Sequence, residues 1–312
     1  MKVVFMGTPQ TAVPCLRRLL ADGHEVVAVY TQPDRPAGRG RQLSPPPVKE
    51  FAHSQGLAIF QPEKIKNEEE RARFRSLGAD IAVVVAYGRI LPSEFLTAFP
   101  KGAVNIHFSL LPKYRGAAPV NWAIVNREVE TGVTSMLMDE GLDTGDILLQ
   151  ESTLILRDET STQLLERLAV MGADVLSKTL SQYESISPRR QVNADATLAP
   201  ILKKSDGLID FSSDADTIEA RIRGFQPFPS SFAMLDGKKL TIWKCSAAEG
   251  VTDMGPGTVI SSDEGKLLVS AGKGTALSIE ELQLEGKKRL TTPEFLNGHK
   301  LPAGTVLEGA KS

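Results

Sequence analysis

The chain has 312 residues, 41% hydrophobic and 24% charged, with 36 basic and 38 acidic side chains and a net charge of −2 at neutral pH. That length accommodates two domains, because one core commonly serves about 100–200 residues. With no global positive field, a polyanionic partner would have to be held by local basic patches. Cys15 and Cys245 lie far apart, suit no metal spacing, and read as buried or incidental thiols in a reducing cytosol.

The first apolar run, Val3-Val4-Phe5-Met6, stops at Gly7, short of the about 7–15 residues of a secretory segment. No stretch approaches the roughly 20 apolar residues of a membrane span. A cytoplasmic protein is expected.

In chain order, residues 3–6 read as a buried strand ending at Gly7-Thr8-Pro9. Ala12, Cys15, Leu16, Leu19 and Leu20 then follow helical spacing across 11–21. Residues 25–30 (EVVAVY) form the next predicted strand, 58–60 a weak third, and 81–86 (IAVVVA) a strand apolar enough to be buried on both faces. A fifth follows at 103–106. Strands alternating with helices imply right-handed crossovers and an α/β, Rossmann-like, doubly wound and mostly parallel sheet. Residues 133–138 and 146–149 are expected to extend it. A helix near 161–180, with Leu164, Leu165, Leu168, Met171, Val175 and Leu176 on one stripe, closes the domain. Residues 185–197 contain little that could pack. From Gly207 onward, short alternating segments at 240–244, 257–260 and 266–270 are broken by Gly and Asp every 8–12 residues, the pattern of a small antiparallel barrel or sandwich. The expected division is 1–184, a linker at 185–206, and 207–312.

Several chemistries lack their signatures. The turn after the first strand, Gly7-Thr8-Pro9-Gln10-Thr11, is not the G-x-G-x-x-G of a dinucleotide site. There is no Walker A loop, no G-x-S-x-G elbow, and no His and Cys cluster with metal spacing, so no metal is expected.

The end of the fifth strand stands out. Residues i and i+2 of a strand project to one side, so Asn105 and His107 point together. They do so at the carboxyl edge of the sheet, where open parallel sheets bind ligands. An amide and an imidazole can both donate to a carbonyl oxygen that gains charge as a nucleophile adds, and an imidazole can also move protons near neutral pH. Asn-x-His at a strand end is also ordinary loop chemistry. Asp143, in Gly141-Leu142-Asp143-Thr144-Gly145-Asp146, could supply a carboxylate. An Asp that caps its own turn is the commoner use of such a loop, and Asp139, Glu140 and Asp146 are close competitors.

The run Asn105-Ile106-His107-Phe108-Ser109-Leu110-Leu111-Pro112 resembles the signature of the 10-formyltetrahydrofolate-dependent formyltransferases. Its extension, Arg115-Gly116-Ala117-Ala118-Pro119, resembles the branch that acts on methionyl-tRNA. Further matching stretches are Phe5-Met6-Gly7-Thr8-Pro9, Pro33-Asp34-Arg35-Pro36-Ala37-Gly38-Arg39-Gly40, Val85-Ala86-Tyr87-Gly88, Asp206-Gly207-Leu208-Ile209-Asp210-Phe211 and Arg223-Gly224-Phe225-Gln226-Pro227-Phe228-Pro229. Phe108 stands where the family usually carries a small residue, Arg89 where an aliphatic one is commoner, and the last stretch lacks the usual Asn and Trp.

The resemblance implies a formyltransferase fold followed by an OB-like tRNA-binding barrel. It implies catalytic positions at Asn105, His107 and Asp143, with Asp143 orienting the imidazole. A folate co-substrate, 10-formyltetrahydrofolate, would lie along Tyr87, Gly88, Ser109, Leu110, Leu111 and Pro112. Initiator methionyl-tRNA would be the acceptor, in translation initiation. For the tRNA, the loop 31–50 offers Arg35, Arg39, Arg41 and Lys49, with Gly38 and Gly40 for freedom; Lys203 and Lys204 are further candidates. The segment 207–312 carries 12 basic and 14 acidic side chains, so its contacts would sit on one face, at Lys238-Lys239 or Lys287-Lys288-Arg289. The chain is expected to act as a monomer. The competing reading is a folate-dependent formyltransferase acting on a small amine, such as an amino sugar nucleotide.

Overall fold

A computed structural model of the chain describes residues 1–37, 42–248 and 252–310. In chain order its elements begin with β1 (Lys2–Gly7), α1 (Val13–Ala21), β2 (Glu25–Tyr30), β3 (Arg35–Ala37), β4 (Gln42–Ser44) and α2 (Pro47–Ser54). Next come β5 (Ile59–Phe60), α3 (Glu68–Ser76), β6 (Ile81–Val85), α4 (Ser93–Leu96), β7 (Ala103–His107), β8 (Arg115–Gly116) and α5 (Pro119–Val125). They are followed by β9 (Glu130–Leu137), β10 (Ile147–Leu154), α6 (Ser161–Ser181) and β11 (Leu198–Ala199).

The chain divides into two compact units that interleave in sequence. The first comprises Met1–Pro119, Glu130–Leu154 and Leu165–Ala199; the second comprises Val120–Val129, Ile155–Leu164 and Pro200–Ser312. Residues 185–199 therefore pack as part of the first unit.

A seven-stranded sheet in the order β10-β9-β7-β6-β1-β2-β5 organises the first unit. The five strands from β7 to β5 pair in parallel. As expected, β9 and β10 extend the sheet, but each pairs antiparallel with its neighbour. The loop between them is too short for the dozen or more residues of a crossover, so those two strands form a hairpin. All five residues of β6 are buried, which its unbroken apolar run requires. On one face, Tyr30, Phe74, Phe95 and Phe99 pack ring against ring.

Phe108 finds its place on the helix side of β7. A Cβ added at Gly172 of α6 would lie 3.0 Å from Ile106 Cγ2 and 3.2 Å from Phe108 Cε1. The glycine thus makes room for the large ring, and the alternation of the strand turns Phe108 away from the side shared by Asn105 and His107.

The second unit holds α7 (Ala215–Gly224), β12 (Ser231–Leu235), β13 (Lys238–Ala248), β14 (Val259–Ser261), β15 (Leu267–Ser270), β16 (Ala276–Leu284), β17 (Leu290–Thr291) and α8 (Thr292–Gly298). Its antiparallel sheet runs β12-β13-β16-β15-β14, with β17 on β16. The C-terminal tail bridges both edges: Met234 pairs with Glu308, and Thr258 pairs with Val306. Two exposed edges are thereby covered, and the alternating segments close into the expected small barrel-like domain. Phe225, in the stretch that lacks the family's Trp, is fully buried and meets Trp122 edge to face at 5.7 Å.

Cys15 and Cys245 are free and buried. Burial pushes the Cys15 thiol up to about 12 and raises that of Cys245 as well, so both stay protonated and inert. Among the described residues no helix is long and apolar enough to cross a membrane.

Candidate active site

The site is assembled at the carboxyl end of β7, where Asn105 pairs with Met136 and His107 with Thr134 of β9. His107 is 6% exposed. Its Nε2 donates to the carbonyl of Tyr114 at 2.9 Å, a carbonyl turned inward by a residue at φ 62°. Its Nδ1 lies 3.7 Å from Asp143 Oδ2. No hydrogen bond ties down the Asn105 amide among the described residues, and that side chain is half-buried. One open donor and one held imidazole therefore share the strand end.

Asp143 is the carboxylate that tertiary structure brings to His107. Its Oδ2 accepts from the Gly116 amide at 2.8 Å, and its backbone sits at φ 54°. Asp139 turns to its own loop instead, accepting from Gly141 N at 3.0 Å and Thr144 Oγ1 at 2.6 Å. Gln191 was invisible in sequence. Its Nε2 donates to the carbonyls of Asp143 at 2.9 Å and Gly145 at 2.7 Å. Its Oε1 accepts from Arg115 Nε at 3.0 Å and Nη2 at 2.7 Å. Nothing in the periodicity or composition of 185–197 signals this role.

The turn after β7 is tied from below. Thr134 Oγ1 donates to Ser109 O at 2.6 Å and accepts from Leu111 N at 3.1 Å. Gln150 Nε2 donates to Leu111 O at 2.8 Å and Thr134 Oγ1 at 2.9 Å. The Leu111-Pro112 peptide is cis. Ser109 is buried with its hydroxyl donated to Lys113 O at 2.7 Å, and Leu111 packs on Met136 and Ile147. Of the four residues expected along a ligand here, Leu110 and Pro112 keep partly exposed surface, while Ser109 and Leu111 turn inward.

Tyr87 is likewise an inward residue. It is 2% exposed, its hydroxyl has no partner, and burial pushes the phenol up to about 12, so it is no acid or base near neutrality. Its carbonyl accepts from Thr8 Oγ1 at 3.0 Å and Gln32 Nε2 at 3.1 Å. Arg89 Nε donates to Gln32 Oε1 at 2.9 Å, and its Nη1 to Glu63 O at 2.7 Å. The turn through Gly88, at φ 83°, is thus braced from Gln32. Immediately beyond it, Arg89 and Ile90 line a cavity of about 650 Å³ with Lys64, Ile65, Lys66 and Asn67. The two lysines were not singled out in the sequence.

The basic residues are placed unevenly. Arg39 and Arg41 lie outside the described residues, although β3 and β4, which flank them, pair in a hairpin. Lys49 binds both Asp34 oxygens, at 2.8 and 2.7 Å, so it anchors the base of that hairpin. Lys203 and Lys204 are exposed on the second unit. On the same unit Lys239 stands over the Phe232 ring at 4.3 Å, and Arg289 pairs with Glu281 over Trp243. Among the described residues no cluster of His, Cys, Asp or Glu is grouped to hold a metal ion.

A family model described as formyl transferase matches residues 1–180, and one described as formyl transferase, C-terminal domain, matches residues 201–300. The methionyl-tRNA formyltransferase of Caldanaerobacter subterraneus subsp. tengcongensis is 47% identical over 311 residues, covering 99% of this chain and 100% of that protein. The chain belongs to the methionyl-tRNA formyltransferase family. A relative of the same name from Geotalea uraniireducens is 48% identical over 309 residues, covering 98% of each chain. One from Acidobacterium capsulatum is 49% identical over 310 residues, covering 98% of this chain and 99% of the relative.

Solved structures share the fold at greater distance. An N-formyltransferase from Helicobacter canadensis, in complex with folinic acid and dTDP-3-aminofucose, superposes with a TM-score of 0.68 at 21% identity, covering 89% of this chain and 98% of that one. HypX from Aquifex aeolicus, in complex with tetrahydrofolic acid, gives 0.62 at 16% identity, covering 95% of this chain and 47% of that one. Both likenesses concern fold alone.

Proposed function

We propose that the chain transfers a formyl group from 10-formyltetrahydrofolate to the α-amino group of methionyl initiator tRNA, at a site formed by Asn105, His107 and Asp143. Similarity to relatives named for methionyl-tRNA, over nearly the whole length of both chains, supports the acceptor. The observation that carries the site is the open Asn105 amide beside a His107 imidazole that has Asp143 at 3.7 Å.

The acceptor amine attacks when neutral. A free α-amino group has a pKa near 7.7–8.0 and esterification lowers it, so no strong base is needed. As a bond forms from that nitrogen to the formyl carbon, Asn105 donates to the formyl oxygen, which gains charge. His107 exchanges its contact with Tyr114 O for the reacting centre, supports the same oxygen, and conveys the proton released by the amine to N10 as the bond from N10 to the formyl carbon breaks. Asp143 keeps the ring oriented. Much of the acceleration is positioning, because two substrates meet at one carbon.

The folate runs along the backbone of Tyr87 and Gly88 and the 109–112 turn. Lys64, Lys66 and Arg89 around the neighbouring cavity suit the carboxylates of its glutamate end. Residues 1–184 do the chemistry with the stretch 185–199 packed among them, 200–206 lead on, and 207–312 hold tRNA, in a cytoplasmic monomer. Arg39, Arg41, Lys203 and Lys204 contact tRNA phosphates, and Lys49 sets the base of the loop that carries the first two.

The test is His107→Asn, assayed with 10-formyltetrahydrofolate and methionyl-tRNA. It is expected to fold normally and lose at least about 100-fold in turnover. Full activity would remove His107 from the site, and formylation of a small amine but not of methionyl-tRNA would overturn the acceptor.

A further inference from the structure

The reacting groups proposed above sit on strand ends and loops, yet one of those loops is held by a residue with no chemical part in the reaction. The hairpin loop that carries Asp143 has exposed residues at Asp139, Glu140, Gly141 and Leu142, and Asp139 spends its carboxylate within the loop. Asp143 itself sits at φ 54°, a conformation that non-glycine residues keep only where their surroundings over-determine it. The surroundings here are Gly116 N on the carboxylate and Gln191 Nε2 on the carbonyls of Asp143 and Gly145.

Gln191 is 6% exposed, so its amide does not serve water. It needs donors toward two carbonyls and an acceptor toward the Arg115 guanidinium at the same time, and an amide supplies both from one planar head. Arg115, 7% exposed, also reaches Asn193 Oδ1 at 3.0 Å. The segment that carries Gln191 is itself stitched down at both ends. Arg189 and Ile147 exchange two backbone hydrogen bonds of 2.8 Å, and Arg115 N and Ala117 N donate to Thr197 O and Ala199 O, both at 2.9 Å. Gly116 permits that approach, since a Cβ there would lie 2.6 Å from Ala199 O.

We infer that Gln191, oriented by Arg115, is a positioning residue for formyl transfer: it fixes the loop at Asp143 so that the carboxylate stands beside His107. The inference rests on the reading of Asp143 as the group that orients His107. It makes the stretch 189–199 a strap of the active site.

Gln191→Glu tests it in the full chain. The carboxylate still accepts from Arg115, so the buried guanidinium keeps its partner, but lone pairs now face the carbonyls of Asp143 and Gly145. The expected result is a kcat lower by about tenfold to a hundredfold, with KM for folate and for tRNA within about twofold and the thermal midpoint lower by several degrees, because two buried hydrogen bonds of about 1 kcal/mol each are lost. Gln191→Asn, neutral and one methylene shorter, is expected to lower kcat about tenfold and carries the test if the Glu variant does not fold. Combined with Asp143→Asn, the Gln191 change is expected to add less than about twofold, because coupled residues do not act independently. Parental kcat in both Gln191 variants overturns the inference. So does a loss expressed as a rising KM with kcat unchanged, or a full multiplicative loss in the double variant. Parental turnover in Asp143→Asn alone would instead strike the underlying reading of Asp143.

Discussion

Gly145→Ala probes how tightly the loop that carries Asp143 is set. A Cβ at this position would lie 1.6 Å from the carbonyl oxygen of Leu137 and 2.8 Å from its carbon. Both are backbone atoms at the end of β9, where Leu137 pairs with Val104 and its amide donates to Asp146 O at 2.9 Å. The separation has to open from 1.6 Å to at least 3.0 Å, and no flexible side chain is there to yield. Opening it strains that hydrogen bond and the one from Gln191 to Gly145 O at 2.7 Å, each with a net value of about 1 kcal/mol. Overpacking adds about 1–3 kcal/mol, so the variant should be less stable by about 3–5 kcal/mol. Asp143 lies two residues away, and displacement of a site group by about 1 Å can lower the rate about 100-fold. Urea unfolding measures the first effect, and steady-state formylation of methionyl-tRNA measures the second. Parental kcat in a variant that is destabilised as expected would refute the claim that loop position governs turnover; unchanged stability would refute the packing argument itself.

Two further outcomes follow from charge. Arg41→Ala is expected to raise KM for methionyl-tRNA, more steeply as salt falls, and to leave folate affinity as it was; an unaltered KM for tRNA would remove Arg41 from the contact. On the second unit, the Asp214 side chain caps α7 by accepting from Thr217 N at 2.9 Å and pairs with Lys273 at 2.9 Å. The Thr217 and Lys273 hydrogen bonds hold its carboxyl well below the usual carboxylate range. A depressed folded-state pKa means stability that is complete above the unfolded value near 3.9 and lost as pH falls below it. Asp214→Asn keeps the cap but loses the ion pair, so its urea midpoint should fall less than that of the parent between about pH 5 and pH 2; parallel acid curves would count against this role.

Local physics explains what could be read early. The all-apolar run 81–86, the β-branched run 3–6 and the alternation of Asn105 and His107 depend on neighbours within a few residues, and each lies in or at the end of a strand of the seven-stranded sheet. The barrel-like unit was legible from its spacing of turns, but its closure was not. The contacts of Met234 with Glu308 and Thr258 with Val306 join residues far apart in sequence, with no periodic pattern to announce them.

The chain by itself determined the main strands of the large sheet, the helices α1 and α6, the strand-end pair and the resemblance that named a reaction. Tertiary structure decided which carboxylate stands beside His107: Asp139 folds onto its own loop while Asp143 meets Gly116 and Gln191. It also made Ser109, Leu111 and the Tyr87 ring internal, and gave Lys49 to Asp34. The reason is common to all of these. Spacing along a strand or helix fixes direction over a few residues, whereas the partner of a buried polar group is settled by chain segments that meet only when the sheet has formed.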